Sequence, residues 1–129
     1  MPRMKKGKIV PNGVSLEKHE NETIVFFTEL GYDIELIPPS NSPKSKTPDF
    51  LMNGVAWEMK SPHGKTKTSL EHAMKKASKQ SANIIIDLSH SKIEENIAIK
   101  EIKKRFEQTN SCRKLKIITK SHVLLEYKK

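Results

Sequence analysis

Thr47-Pro48-Asp49-Phe50-Leu51-Met52-Asn53-Gly54-Val55-Ala56-Trp57-Glu58-Met59-Lys60 reads as two short strands joined by a two-residue turn. The turn signal is Asn53-Gly54, because a type I′ turn needs positive φ at both central positions and these two residues tolerate it. A two-residue loop also fixes the register. Met52 lies opposite Val55, Leu51 opposite Ala56, Phe50 opposite Trp57 and Asp49 opposite Glu58, with side chains alternating between faces. Phe50, Met52, Val55, Trp57 and Met59 then share one wholly apolar face, which belongs to a core. The other face carries Asp49, Leu51, Ala56, Glu58 and Lys60, and the small Ala56 leaves room above the strand.

Like charges paired across strands are destabilising, so Asp49 opposite Glu58 calls for something between them. A divalent cation meets that need. Carboxylate oxygens suit Mg²⁺ or Mn²⁺, which are commonly held by one or two carboxylates together with water and substrate phosphate. Lys60 faces the same point, where it can orient or deprotonate an attacking water beside a metal-polarised phosphoryl oxygen. Asp49 and Glu58 are therefore the candidate metal ligands, and with Lys60 the candidate catalytic residues, for phosphodiester hydrolysis. The plain alternative is a solvated outer face on which Lys60 neutralises two acids.

Pro48-Asp49 followed by Glu58-Met59-Lys60 on a hairpin resembles the PD-(D/E)xK nuclease superfamily, which implies an α/β core with this strand pair at its centre. The run Trp57-Glu58-Met59-Lys60-Ser61-Pro62-His63-Gly64, joined to Ala77-Ser78-Lys79-Gln80-Ser81-Ala82-Asn83-Ile84-Ile85-Ile86-Asp87-Leu88, further resembles the C-terminal toxin domains of CdiA-type contact-dependent growth inhibition proteins. That similarity extends over residues 17 to 125. It implies tRNA cleavage, a nucleic-acid partner and a cognate immunity protein. The superfamily resemblance also implies a first-helix acid in the metal site, which is carried to Glu20 with Glu17 in reserve, and the toxin resemblance places Lys76 and Gln80 beside the active site as phosphate- or water-positioning groups.

Composition is compatible with that chemistry. The chain has 129 residues, the size of one domain with one core. Twenty-four Lys and Arg against fifteen Asp and Glu give a net charge of +9, a balance that favours polyanions, with solubility as the simpler explanation. The single Cys112 cannot form an internal disulfide, and no zinc-type spacing exists. No apolar run is long enough to span a membrane, and the basic start lacks the apolar segment of a signal peptide. The expected location is cytoplasmic, in the producing cell or in a target cell reached through a larger parent chain.

In chain order, residues 1–14 read as a loosely ordered basic arm and residues 15–129 as the nuclease-like domain. A helix is expected from Ser15 to Gly31, with Leu16, Glu20, Ile24, Phe27 and Leu30 on one stripe; Glu20 interrupts an apolar face there, or lies at its solvated edge. Tyr32 to Ile37 reads as a strand, and residues 40–47, with Lys44 and Lys46, as a basic loop. Beyond the hairpin, Lys65, Lys67, Lys75, Lys76 and Lys79 face a single acid, Glu71, which makes Lys65, Lys76 and Lys79 candidate phosphate contacts. Thr68 and Glu71 form an expected capping box for a helix ending near Ser81. Asn83 to Leu88 reads as a central strand covered on both faces. Ser91 and Glu94 suggest a second capping box, for a helix from Ile93 to Gln108 with Ile93, Ile97, Ile102 and Phe106 inward. Two further strands follow, at Lys114 to Thr119 and His122 to Glu126. The fold class is α/β, a mixed sheet flanked by helices.

Other functions compete with the metal-dependent reading. A metal-free ribonuclease could use two of the five histidines, but no spacing pairs them, and only His63 is close enough to the hairpin to serve as a phosphate contact. A DNA endonuclease of the same superfamily, of resolvase or restriction type, would have identical site residues, and a non-catalytic nucleic-acid-binding relative would keep the fold alone. Seven aromatic residues are too few for extensive base stacking, which favours a folded or duplex substrate held by its backbone.

Overall fold

A computed structural model describes residues 5–38 and 48–129. The first four residues of the expected arm and the expected basic loop at 40–47 lie outside the described residues. The chain forms two compact units, Met1–Trp57 and Glu58–Lys129. Among the described residues there are seven strands and three helices, in the expected α/β order with one further strand in front.

The first unit contains β1 (Ile9–Val10), α1 (Lys18–Glu29), β2 (Ile34–Leu36), β3 (Phe50–Met52) and the opening half of β4 (Val55–Lys60). β1 arises inside the stretch read as an arm. It pairs in parallel with β2, and Lys8 N–H donates to Asp33 Oδ1 at 2.9 Å. Gly7 makes this approach possible, since a Cβ there would lie 1.7 Å from the Tyr32 carbonyl oxygen. α1 buries Thr23, Ile24, Phe27 and Thr28. It ends as expected at Gly31, whose φ of 98° suits the position after a helix C-cap.

The hairpin has the expected register: Phe50↔Trp57, Leu51↔Ala56 and Met52↔Val55. Asn53 and Gly54 have φ of 49° and 83°, the signs a type I′ turn requires. Asn53 is also tied to the start of β2. Its side-chain oxygen accepts Asp33 N–H at 2.8 Å, and its own N–H donates to Asp33 O at 2.8 Å. Phe50, Met52 and Trp57 are buried as the alternation requires, whereas Val55, beside the turn, remains 37% exposed.

The second unit holds the rest of β4, then α2 (Lys67–Gln80), β5 (Asn83–Asp87), α3 (Glu95–Gln108), β6 (Lys114–Ile118) and β7 (Leu124–Lys128). β4, β5 and β6 are parallel, and β7 returns antiparallel to β6. Ile84, Ile85 and Ile86 are fully buried, in keeping with a strand covered on both faces. One face of this unit forms a core in which Leu70, Met74 and Ala77 of α2 and Ala98, Ile102 and Phe106 of α3 meet Ile84, Ile86, Leu115 and Ile117. Each large aliphatic chain buried there contributes about 1.5–3 kcal/mol.

Both helix starts differ from expectation. α2 is capped at Thr66 rather than Thr68, and Ser69 Oγ donates to Thr66 O at 2.7 Å. α3 begins at Glu95 because Glu94, not Ser91, accepts the free N–H groups of Asn96 and Ile97 at 3.1 and 3.0 Å. Ser91 instead closes a local turn by accepting Ile93 N–H at 3.2 Å. The inward stripe of α3 is accordingly Ala98, Ile102 and Phe106, and Ile97 is 46% exposed. Among the described residues no helix is long and apolar enough to cross a membrane.

Candidate active site

Residues paired in register share a face of a sheet. Glu58 pairs with Ile84 and Lys60 with Ile86, so both side chains of β4 project to the face covered by α2 and α3. Burial therefore reaches both faces of this strand segment. Met59 is 6% exposed on one face and Glu58 is 3% exposed on the other. The expected solvated alternative does not fit a carboxylate so deeply covered, since a buried charge needs a partner. Lys60 supplies one, with Nζ 3.1 Å from Glu58 Oε2.

Lys60 is the last residue of β4 and keeps 30% of its side chain in contact with solvent. Its ammonium thus links a buried carboxylate to open water. Beside it lies a concavity of about 350 Å³ lined by Lys60, Ser61, Pro62, Ser69, His72, Ala73 and Lys76. In an open α/β sheet, ligands bind at the carboxyl ends of parallel strands, and this hollow lies where β4 ends. Lys60 and Lys76 give it positive charge from two different elements.

Of the other expected residues, Lys76 alone lines the hollow. Gln80 closes α2, and its Oε1 is buried without a hydrogen-bond partner among the described residues, as is Ser61 Oγ. Such buried polar atoms usually have partners, so the two mark places where a bound group or water would be accepted. Lys65, Lys79 and His63 are exposed, and none of them lines the hollow. His63 stacks instead on His90, with ring centroids 5.5 Å apart and planes 16° apart.

Two expected residues belong to the first unit. Asp49 is half-buried, donates its N–H to Trp57 O at 3.0 Å and accepts Ile37 N–H at 3.0 Å, which holds it in the hairpin as the register requires. Glu20 has a local task, its Oε1 accepting the N–H of the N-cap residue Glu17 at 3.1 Å. Glu17, the reserve choice, is exposed and lies 3.6 Å from His19.

Among the described residues no three or more His, Cys, Asp or Glu side chains gather into a metal cage. Glu58, a buried carboxylate paired with Lys60, is a donor of the type a hard cation takes. Ser61, His72 and His90 were not assigned from sequence. Ser61-Pro62-His63-Gly64 signalled only the end of a strand, and the histidines had no spacing to connect them.

The family described as the contact-dependent growth inhibition CdiA C-terminal domain matches residues 46–124. No curated protein matches the chain. Among solved structures, the CdiA-CT/CdiI toxin and immunity complex from Burkholderia pseudomallei is similar, with a TM-score of 0.69 and 20% identity over 95% of this chain and 100% of that one. At that identity the likeness is one of fold. The family match spans more than half of the chain and contains the Glu58–Lys60 strand, α2 and the Ile-rich β5, and on that ground the protein belongs to the CdiA C-terminal domain family of contact-dependent growth inhibition.

Proposed function

We propose that this domain is a metal-dependent nuclease that hydrolyses phosphodiester bonds in RNA, with tRNA as the favoured substrate, and that it acts as a growth-inhibition toxin restrained by a cognate immunity protein. The observation that carries the proposal is the buried Glu58 carboxylate bonded to Lys60 at the mouth of a lysine-lined hollow. A scaffolding ion pair has no need to open onto a positively charged concavity. The immunity partner is inferred from the similar fold, which was solved in a toxin and immunity complex.

Glu58, with Asp49 as the second carboxylate expected from the hairpin, would hold Mg²⁺ or Mn²⁺. Such a cation, when bound, polarises a phosphoryl oxygen and acidifies a coordinated water. Lys60 then orients the attacking water and stabilises negative charge as it develops on the phosphate. Lys76, on a different element lining the same hollow, receives a neighbouring phosphate, while Lys65 and Lys79 contribute to the wider positive field. Gln80 Oε1 is an acceptor for a water. Glu20 is the expected third acid, a role that would require it to leave its capping bond.

The test is incubation of the pure chain with total tRNA and, separately, with duplex and branched DNA, in Mg²⁺, Mn²⁺ or chelator. Cleavage of tRNA that depends on the metal is expected, and Glu58→Gln, Lys60→Ala and Asp49→Ala should each lower it by at least about a hundredfold while retaining a cooperative thermal transition. Metal-dependent cutting of DNA in place of tRNA would transfer the same residues to a DNA endonuclease. Cleavage that survives all three substitutions would remove the assignment altogether.

A further inference from the structure

His63 and His90 come from different loops, those that follow β4 and β5, yet their rings lie nearly parallel, 16° apart, with centroids separated by 5.5 Å. Both are exposed. Each is carried on backbone that is firmly held. Pro62, just before His63, is buried, and Gly64, just after it, lies so close to the first turn of α2 that a Cβ would meet Ser69 Cβ at 2.4 Å. On the other loop, Ser89 N–H and Oγ both donate to Asp87 Oδ1, at 2.9 and 2.5 Å. Ser91, after His90, is buried and donates its N–H to Leu88 O at 3.1 Å. Exposed rings on rigid loops, at the carboxyl ends of parallel strands, are arranged for recognition rather than for packing.

The charge at this end of the unit is already supplied by Lys60 and Lys76. What the two imidazoles add is flat surface. Phe27, Phe50, Trp57 and Phe106 are buried, and Phe26, Tyr32 and Tyr127 are half-buried, whereas the two histidines are exposed rings at this end of the second unit. Stacked rings prefer an offset parallel arrangement at about this spacing, and an exposed stacked pair can be extended by a further plane. Nucleobases provide such planes, and RNA-binding proteins stack unpaired bases on side chains that include histidine.

We propose that the His63–His90 stack is a binding platform for one unpaired nucleobase of the RNA substrate, adjoining the hollow that receives the phosphates. The inference deepens the nuclease reading and rests on it for the identity of the ligand class. His90 becomes a substrate-binding residue, and His63 acts through its ring plane rather than as a phosphate contact. A folded RNA would meet this end of the protein at a loop or at its end, where one base is free to leave its own stack.

The test separates plane from charge, and base recognition from cleavage. Adenosine 5′-monophosphate and ribose 5-phosphate are titrated in turn into the full chain, and the imidazole proton signals of His63 and His90 are followed by NMR. The nucleotide should shift both rings upfield, through the ring current of the base, and ribose 5-phosphate should leave them nearly unmoved. Against total tRNA, His90→Ala should raise KM about tenfold, within the range that loss of one stacked base produces, whereas His90→Phe should restore most of it. Equal shifts with both ligands, or rescue by His90→Lys but not by His90→Phe, would overturn the platform in favour of a phosphate contact. No shift with either ligand would overturn it outright. The nuclease reading fails separately: nucleotide-induced shifts in a chain that cuts no nucleic acid would leave the platform standing and remove the catalysis.

Discussion

α2 and α3 are both 14 residues long and pack on the same face of the second unit, but they treat their charges differently. α2 carries Lys67, Lys75, Lys76 and Lys79 against Glu71 alone, and even Glu71 is engaged by Arg105 Nη2 at 3.3 Å. α3 balances Lys100, Lys103, Lys104 and Arg105 with Glu95, Glu101 and Glu107, and ties several of them down. Arg105 Nε is bonded to Glu101 Oε2 at 3.1 Å, Lys103 lies over the Tyr127 ring at 4.8 Å, and Glu95 Oε1 accepts Lys120 N–H at 2.6 Å. Two helices packed on one core thus differ in their electrostatics. The helix beside the hollow leaves its lysines available to a polyanion, whereas the other ties Lys103 and Arg105 into the fold and offsets its exposed Lys100 and Lys104 with acids along the same helix.

The comparison is most exposed to measurements of salt dependence. Lys76→Ala and Lys79→Ala should each weaken tRNA binding by several-fold and reduce the slope of log K against log salt by about 0.7–0.9 per lost phosphate contact. Lys100→Ala and Lys104→Ala should leave that slope unchanged. Filter binding in chelator from low to moderate salt makes the measurement without cleavage, and a slope lowered equally by both pairs would erase the distinction between the helices.

A smaller effect is expected in stability. Arg105→Ala removes the link between Glu71 and Glu101 across α2 and α3, and Glu101 is only 8% exposed. Because Arg105 itself is one-third exposed, solvent screens part of the interaction, and the loss should be roughly 1 kcal/mol, or about 4 °C in Tm. Lys76→Ala should move Tm by less than about 1 °C, as an exposed substitution away from such ties. Thermal scans that reversed this order would give α2 the structural role.

The smallest effect concerns Cys112, which follows α3 and is fully buried in the core shared by both helices. Burial pushes its thiol pKa up, with Lys129 pulling it partly back. Above the ordinary thiol pKa the folded chain therefore holds a proton that the unfolded chain has released, so stability falls as pH rises from that value toward the folded one. Urea titrations in mildly alkaline buffer should show this decline, and Cys112→Ala should flatten it. A thiol reagent should modify the unfolded chain and leave the native one unlabelled.

Much of the fold could be read from local chemistry. Asn53-Gly54 admits one register, and the Ile run of β5 has no polar side to turn outward. Helix starts were less legible because capping signals are degenerate: Thr66 and Thr68, or Ser91 and Glu94, compete within a few residues, and tertiary packing selects among them. The strand β1 was hidden because its reason lies in a close backbone approach at Gly7 rather than in an apolar pattern. That Glu58 and Lys60 share a face of β4 was legible from their spacing on one strand. Lys60 also answers the charge of Glu58 directly, as the plain alternative had it, but at a buried rather than a solvated carboxylate. The stack of His63 on His90 was not legible, since it joins loops far apart in sequence that meet only after β4 and β5 pair in parallel.

β5 has a neighbour on each side, with Ile84 and Ile86 matched to β4 and to β6. Its amide protons are divided between the two neighbours, so the strand as a whole exchanges with solvent deuterium only when both have separated from it, an event close to unfolding of the whole unit. β7 pairs with β6 alone among the described residues and can fray without disturbing the rest. The loop bearing His90 follows the last residue of β5, so the strand expected to exchange most slowly in this unit anchors an exposed ring.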